Sequence, residues 1–312
     1  MLALASGTGN SARNFPPMPT PYTPSRSEFL SLRGMQMHVR HWGSEHAPKL
    51  FMLHGWMDVS ASFQFVVDCF TRDWHVIALD WRGFGLSDRV ASDCYWFPDY
   101  LGDLDALLEA ISPDQPVQLI GHSMGGNVAT LYAGIRPHRV AKLINLEGFG
   151  LANAVPAQAP NRYSKWLDEL REPPTMRSYP SREAVVQRLR KNNPRLTSER
   201  AEFLSQHWAA VDPQGEWHVQ GDPKHKLVSA NLYRTEEVLA CWQQITAPVL
   251  WVEAEHTEVW RWMGPKDEMR AEIDRRMQVI PHVTAALIKD AGHMLHHDQP
   301  EALARLIEGF LD

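Results

Sequence analysis

A serine in a glycine-rich turn is the first residue whose surroundings predict chemistry. The segment Gly121-His122-Ser123-Met124-Gly125-Gly126 follows an apolar run at residues 117–120 and leads into a helical pattern from Asn127. The flanking glycines permit a strained turn that lifts the hydroxyl clear of a sheet, and a helix that starts there favours developing negative charge. This arrangement of strand, turn and helix predicts that Ser123 is a nucleophile.

A histidine near the C-terminus is suited to be the base that such a serine needs. Gly292-His293 follows the apolar run at residues 285–288, so His293 lies on the loop after a predicted strand and can reach back over the sheet. His296 and His297 are predicted at the start of the last helix, and no carboxylate or cysteine set with zinc-ligand spacing accompanies them. We therefore expect His293 to be the general base, with no metal and no cofactor.

A tetrahedral oxyanion needs two N–H donors, and two loops can supply them. Met124 directly follows the nucleophile, so its backbone amide is the first candidate donor. The second is expected from the loop after the apolar run at residues 50–53, where the sequence reads His54-Gly55-Trp56. The backbone amide of Trp56 is the candidate there.

The elements that must position these residues alternate along the chain. Short apolar runs are separated by helical patterns, at residues 35–39, 50–53, 76–79, 117–120, 143–146, 249–252 and 285–288. This alternation predicts an α/β fold, with a mostly parallel central sheet covered by helices on both faces. The apolar spacing in residues 100–111 predicts one of the helices that cover the sheet. Asp298 and Glu301 predict a capping box at the start of the last one.

The alternation stops between residues 151 and 246, where helical patterns and prolines occur without a predicted strand. We expect residues 151–246 to form a helical cap, inserted into an α/β core of residues 27–150 and 247–312. Residues 1–26 are rich in proline and predict a flexible arm. Aromatic residues are frequent in the predicted cap: Tyr163, Trp166, Tyr179, Phe203, Trp208, Trp217, Tyr233 and Trp242. Some of them are expected to face a ligand, together with Trp260 and Trp262 beyond the cap.

Composition excludes several classes of partner. The 31 Lys and Arg residues are outnumbered by 37 Asp and Glu residues, so no basic face for nucleic acid is expected. No run approaches the roughly 20 apolar residues that a membrane span needs, and the short apolar N-terminus does not resemble a secretory signal. Three widely spaced cysteines fit free thiols in a reducing compartment, which predicts a cytoplasmic protein. The oligomeric state stays open.

The motifs together resemble the α/β-hydrolase fold family over roughly residues 27–312. The resemblance rests on residues 54–56, 80–87, 121–126 and 292–293, in that order along the chain. It implies that the Asp-x-Arg-Gly-x-Gly-x-Ser segment at 80–87 shapes a structural loop. The Gly-His-Ser-Met-Gly-Gly segment is similar to that of esterases and lipases, which implies ester hydrolysis through an acyl-enzyme.

The family's commonest position for the acid of the triad is not acidic in this sequence. The resemblance implies an acid on the loop after residues 249–252, near Thr257. Glu253, Glu255 and Glu258 lie close enough in the sequence to substitute for it. Glu255 and Glu258 are therefore kept as candidates.

A second position for the acid is the end of the strand that follows the nucleophile helix. Glu147 directly follows the apolar run at residues 143–146 and lies 24 residues after Ser123. This spacing resembles that of capped relatives such as some haloalkane dehalogenases. We expect Glu147 to orient His293, because strand ends at the carboxyl edge of a parallel sheet converge on the active site.

The expected function is hydrolysis of carboxylic esters of medium-sized hydrophobic or aromatic substrates, by a triad of Ser123, His293 and Glu147. One alternative is the same triad acting on a C–C, amide or thioester bond. Another is a ligand-binding or receptor-like member of the fold without catalysis. Opening of halides or epoxides by an aspartate nucleophile is disfavoured, because position 123 is serine.

Overall fold

A computed structural model describes residues 22–312, so residues 1–21 of the predicted arm lie outside the described part. The strands are β1 (Ser25–Leu32), β2 (Met35–Trp42), β3 (Lys49–Leu53), β4 (His75–Leu79), β5 (Val117–His122), β6 (Val140–Leu146), β7 (Ser178–Tyr179), β8 (Ala209–Val211), β9 (Trp217–Val219), β10 (Val249–Ala254) and β11 (Val283–Ile288). Strand β1 begins within the stretch that the sequence predicted as arm.

Helices separate most of these strands. They are α1 (Gln64–Val67), α2 (Pro98–Ile111), α3 (Met124–Ile135), α4 (Ala159–Arg171), α5 (Arg182–Asn192), α6 (Ser198–Trp208), α7 (Thr235–Trp242), α8 (Trp260–Met263), α9 (Lys266–Gln278), α10 (Leu295–Asp298) and α11 (Pro300–Leu311). Within residues 22–312, none of them is long and apolar enough to span a bilayer.

Eight strands form the central sheet, in the order β1-β2-β4-β3-β5-β6-β10-β11. Strands β1 and β2 are antiparallel to their neighbours, whereas the six strands from β4 to β11 in this order are parallel. The predicted α/β fold with a mostly parallel sheet is confirmed. The carboxyl ends of β3, β5, β6, β10 and β11 therefore lie along one edge of the sheet.

Both faces of the sheet are buried, as the continuous apolar runs predicted. In β3, Phe51 and Leu53 pack into a cluster with α2, α3, α7 and α9. Leu50 and Met52 point the opposite way and pack with α1 and α11. Side chains alternate between faces in a strand, and each fully buried one of this size contributes about 1.5–3 kcal/mol. The helices thus fix the sheet from both sides.

The segment between β6 and β10 contains helices and a small second sheet. Strands β7, β9 and β8 pair antiparallel in that order, so the expectation of no strand in this segment was wrong. These strands have two or three residues each, too few for a period of two to be visible in the sequence. Helix α7, also within the predicted cap, places Leu239 and Trp242 in the core cluster instead.

The predicted capping box at the last helix was also wrong. Helix α11 begins at Pro300, and Gln299 before it makes no side-chain capping bond. Asp298 instead accepts hydrogen bonds from the amide of Gly292 at 2.8 Å and from Nδ2 of Asn193 at 2.7 Å. Its carboxylate therefore connects the loop of His293 to the segment above the sheet.

Two glycines allow β5, the turn and α3 to pack closely. A Cβ on Gly121 would lie 2.3 Å from the carbonyl oxygen of Gly125. A Cβ on Gly125 would lie 2.2 Å from the carbonyl oxygen of Leu53, at the end of the neighbouring β3. Both distances are too short for any carbon–oxygen contact, so the turn requires glycine at these two positions.

We expect Gly125→Ala to lower the free energy of unfolding by roughly 1–3 kcal/mol, because the new methyl group must displace backbone atoms. Gly309→Ala is a matched control: it lies in α11, where a Cβ would meet no atom within 4 Å. This control should gain roughly 0.5–1 kcal/mol from higher helix propensity. Urea denaturation of both variants measures the difference, and equal stabilities would contradict the packing argument.

Candidate active site

Ser123 lies at the junction of β5 and α3, with a positive φ of 51°. Its amide donates to the carbonyl oxygen of Leu146 in β6 at 2.8 Å, which holds the turn against the next strand. Its Oγ lies 3.0 Å from Nε2 of His293. The serine hydroxyl is thus within hydrogen-bonding reach of the imidazole.

The imidazole of His293 also contacts the carboxylate of Glu147. Nδ1 of His293 lies 3.2 Å from Oε2 of Glu147, which directly follows β6 and has a positive φ of 57°. The same carboxylate accepts hydrogen bonds from the amide of Ala254, at 2.7 Å to Oε1, and from the hydroxyl of Thr257. The structure therefore brings together the three residues that the sequence named for a triad.

The glutamates on the loop after β10 have other partners. Glu255 accepts a hydrogen bond from the amide of Asp290 at 2.9 Å, and Glu258 pairs with Arg261 at 2.6 Å. Both side chains are exposed to solvent, by 41% and 46%. Glu253 pairs with Arg270. Within residues 22–312, Glu147 is the carboxylate that hydrogen-bonds to the imidazole.

Burial sets the electrostatics of the pair formed by His293 and Glu147. Removal from water raises the pKa of Glu147 to about 8, and the bonds from Thr257 and Ala254 offset only part of this rise. Removal from water also lowers the pKa of His293 below the ordinary histidine value. The imidazole is therefore neutral near pH 7, which is the protonation state that a general base requires.

The two candidate oxyanion donors flank the serine. Met124 is the first residue of α3, where a helix leaves its N–H without an intrahelical acceptor. Trp56 lies on the loop after β3, and its amide donates to no backbone carbonyl within residues 22–312. A Cβ on Gly55 would lie 3.2 Å from Cβ of Ser123, so the loop backbone passes directly beside the serine.

His54 orients this loop. Its Nδ1–H donates to the carbonyl oxygen of Gly55 at 2.7 Å, and its Nε2 accepts from the amide of Trp81 at 3.0 Å. In a trans peptide the carbonyl and the N–H point in opposite directions. The hydrogen bond to the carbonyl of Gly55 therefore fixes the direction of the amide of Trp56, which belongs to the same peptide group.

A cleft of about 260 Å³ opens above the serine. Its floor includes Ser123, His293 and Trp56. The segment between β6 and β10 supplies the opposite wall, with Leu189, Asn192, Asn193, Leu196, Leu204 and Trp208. Nε1 of Trp208 donates to the carbonyl oxygen of Met57 at 2.7 Å, which attaches this wall to the loop after β3. The exposed lining is mainly apolar, but Asp58, His122, His297 and the amides of Asn192 and Asn193 also border the cleft.

Most of the aromatic residues named from the sequence do not line this cleft. Of the eight in the predicted cap, Trp208 lies in its wall. Tyr179 and Trp242 are buried in hydrophobic clusters. Beyond the cap, the ring of Trp262 contacts the ring of His293 edge to face, with 4.8 Å between centroids, whereas Trp260 is exposed.

Sequence reasoning missed several residues that support the site. Thr257 was noted as a non-acidic residue, but its hydroxyl is a donor to Glu147. Asp58, His122 and His296 come together in one buried group of potential metal ligands, and Glu255, His256 and Asp290 form an exposed one. Their separation along the chain gives no spacing motif, although the adjacency of His122 to the nucleophile was a signal.

Comparisons with known proteins assign the chain to a family. The α/β hydrolase fold family matches residues 48–300. The chain is similar to the "Serine hydrolase-like protein" of Danio rerio, with 28% identity over 282 residues, covering 86% of this chain and 83% of that protein. It is also similar to "Serine hydrolase-like protein 2" of Homo sapiens, with 23% identity, covering 88% and 90% of the two chains.

Among solved structures, the chain is similar to the "Thioesterase Domain From Curacin Biosynthetic Pathway". The TM-score is 0.81 at 25% sequence identity, and the match covers 91% of this chain and 99% of that domain. The family match extends over most of the chain, and the neighbouring structure has the same architecture. The protein therefore belongs to the α/β-hydrolase fold family.

Proposed function

We propose that the protein hydrolyses carboxylic esters through a triad of Ser123, His293 and Glu147. The observation that carries the proposal is the continuous chain of contacts: Ser123 Oγ to His293 Nε2 at 3.0 Å, and His293 Nδ1 to Glu147 Oε2 at 3.2 Å. At the serine end of this series of contacts, Ser123 and His293 line the mainly apolar cleft. Nucleophile, base and orienting acid are thus available in one site.

In the acylation step, Oγ of Ser123 attacks the ester carbonyl carbon while Nε2 of His293 takes the hydroxyl proton. The carbonyl oxygen becomes an oxyanion, which accepts hydrogen bonds from the amides of Trp56 and Met124. The C–O bond to the alcohol then breaks, and the imidazolium returns its proton to the leaving alkoxide. Glu147 holds the Nδ1–H of His293 and stabilises the positive charge that forms on the ring.

Water completes the cycle. It attacks the acyl carbon of the ester on Ser123, His293 takes one of its protons, and collapse of the second tetrahedral intermediate returns that proton to Oγ. A carboxylic acid leaves and the serine is regenerated. The small volume and apolar wall of the cleft favour short to medium acyl or alcohol groups without charge.

Thioesters are a second candidate substrate class. The similarity to a thioesterase domain extends over 91% of the chain at 25% identity. A thioester carbonyl reacts with the same nucleophile and passes through the same oxyanion, so the proposed machinery needs no change. Matched acyl esters and acyl thioesters, compared by kcat/KM at equal acyl length, distinguish the two classes.

Ser123→Ala is expected to abolish ester hydrolysis and labelling by a fluorophosphonate probe, with a loss of about 10⁶-fold in kcat, because the nucleophile is removed. Ser164→Ala is the matched control, since Ser164 is exposed on α4 and far from the motif in sequence. The control should label and turn over like the wild type. A wild-type protein that neither labels nor hydrolyses any ester or thioester would favour the non-catalytic ligand-binding alternative.

Glu147→Gln is expected to lower kcat by as much as about 10⁴-fold, because His293 loses the carboxylate that fixes its tautomer and stabilises its charge. Glu255→Gln and Glu258→Gln are isosteric controls on the later loop, and each should stay within a few-fold of the wild type. The three variants are compared at saturating substrate. If Glu147→Gln keeps most of its turnover while either control loses orders of magnitude, the acid is misassigned.

The pH profile of kcat/KM is expected to have an acid limb with a midpoint below 6.5. Burial lowers the pKa of His293, so the neutral, active imidazole persists below the ordinary histidine range and activity is lost only as pH falls further. Initial rates between pH 4 and 8 measure the midpoint, with stability at each pH checked separately. A midpoint above 6.5 would contradict this electrostatic argument.

A further inference from the structure

Beside the triad lies a group of polar side chains that the proposed hydrolysis does not use. Asp58 from the loop after β3, His122 from the end of β5 and His296 from α10 are all buried. Each can offer one ligand atom, and the three atoms lie within 4.8 Å of one another. Nε2 of His296 lies 3.8 Å from Oδ2 of Asp58.

The tautomer of His122 follows from its partner. Its Nε2 lies 2.8 Å from the backbone carbonyl oxygen of His293, which can only accept, so Nε2 carries the proton. Nδ1 of the neutral ring then holds a lone pair, and it has no hydrogen-bond partner within residues 22–312. A metal-binding histidine commonly has this arrangement, with its other nitrogen donating to a carbonyl.

Two of the candidate ligand atoms in this group lack hydrogen-bond partners. Oδ2 of Asp58 and Nδ1 of His122 are buried without a hydrogen-bond partner within residues 22–312. Nε2 of His296, the nitrogen 3.8 Å from Oδ2 of Asp58, lies 3.2 Å from the hydroxyl of Ser62. No lysine or arginine in that part of the chain forms an ion pair with Asp58. A carboxylate oxygen and an imidazole lone pair that converge in a buried space are stabilised by a cation between them.

We propose that Asp58, His122 and His296 bind Zn²⁺ or a similar transition-metal ion. Two imidazoles and one carboxylate are a donor set that suits such ions, whereas Mg²⁺ and Ca²⁺ prefer oxygen ligands throughout. Bonds of about 2.0–2.1 Å in a tetrahedron place ligand atoms roughly 3.3 Å apart. The ligand atoms lie 3.8 Å apart between Asp58 and His296 and within 4.8 Å across the group, so the side chains must move closer together when the ion binds. Asp58 and His122 line the cleft, which gives the ion a path and leaves one coordination position for water.

The bound ion is expected to inhibit. The rings of His122 and His293 have centroids 4.9 Å apart, so a dication on Nδ1 of His122 lies close to the proposed catalytic base. Its charge opposes formation of the imidazolium during acylation, which predicts that labelling of Ser123 slows at least about tenfold. This kinetic effect rests on the proposed function, whereas the binding site itself does not.

Binding is tested on the full chain after removal of metals with EDTA and gel filtration. Equilibrium dialysis against Zn²⁺ should give one tight site per chain, and Co²⁺ should give the intense visible absorption of a tetrahedral ion without thiolate charge-transfer bands. Asp58→Asn and His296→Gln should each weaken Zn²⁺ binding at least tenfold. His256→Gln removes the imidazole of the exposed group and should change nothing.

Inhibition is tested by the rate of fluorophosphonate labelling. Zn²⁺ should slow labelling of the wild type and of His256→Gln, EDTA should restore it, and Mg²⁺ or Ca²⁺ at the same concentration should have no effect. Labelling of Asp58→Asn and His296→Gln should be insensitive to Zn²⁺, relative to each variant's own metal-free rate.

The outcomes separate the two proposals. Absence of a tight Zn²⁺ site in the wild type, thiolate bands with Co²⁺, or loss of binding in His256→Gln would each overturn the metal site. If Ser123 does not label with or without Zn²⁺, the proposed function fails, but dialysis and the Co²⁺ spectrum still decide whether the site exists. Either Asp58→Asn or His296→Gln could fail to fold. The test then rests on the wild type, on His256→Gln and on whichever of the two buried variants folds.

Discussion

The candidate site depends on the backbone at two neighbouring strand ends. Ser123 after β5 has a φ of 51°, and Glu147 after β6 has a φ of 57°. Conformations of this kind cost residues with a Cβ on the order of 1–3 kcal/mol and persist where the surroundings fix them. The amide of Ser123 donates to Leu146, and the amide of Glu147 donates to Val252 in β10. Each bend is therefore held by the next strand, and the sheet aims both side chains at His293.

The loop after β10 contributes to this arrangement in an unusual way. The resemblance to the family placed an acid near Thr257, yet the hydroxyl of Thr257 and the amide of Ala254 both donate to Glu147. Burial raises the pKa of Glu147 even with these two donors present, and without them the rise would be larger. The two donors from this loop favour the ionised form. The loop on which the resemblance placed the acid thus donates hydrogen bonds to an acid at the end of the neighbouring strand.

The sequence predicted what local patterns determine. The nucleophile turn and the parallel strands are encoded in short runs, and β3 was predicted within one residue of its observed start. The strands β7 to β9 and the partners of Asp298 could not be predicted, because they depend on contacts between distant segments. For the same reason, the acid of the proposed triad could not be identified from the sequence alone. The sequence was compatible with Glu147, Glu255 or Glu258 as the acid. Only the contacts of His293 distinguish Glu147 from the later glutamates.

Several histidines surround the serine, and a low pKa does not distinguish the proposed base among them. Burial lowers the pKa of His54, His122 and His293 alike. Both nitrogens of His54 bond to backbone groups, and one nitrogen of His122 donates to a carbonyl, so these rings position loops. His293 differs because its two nitrogens face a hydroxyl and a carboxylate. A ring between a proton donor and a charge-stabilising acceptor can transfer protons, whereas a ring held by amides and carbonyls cannot.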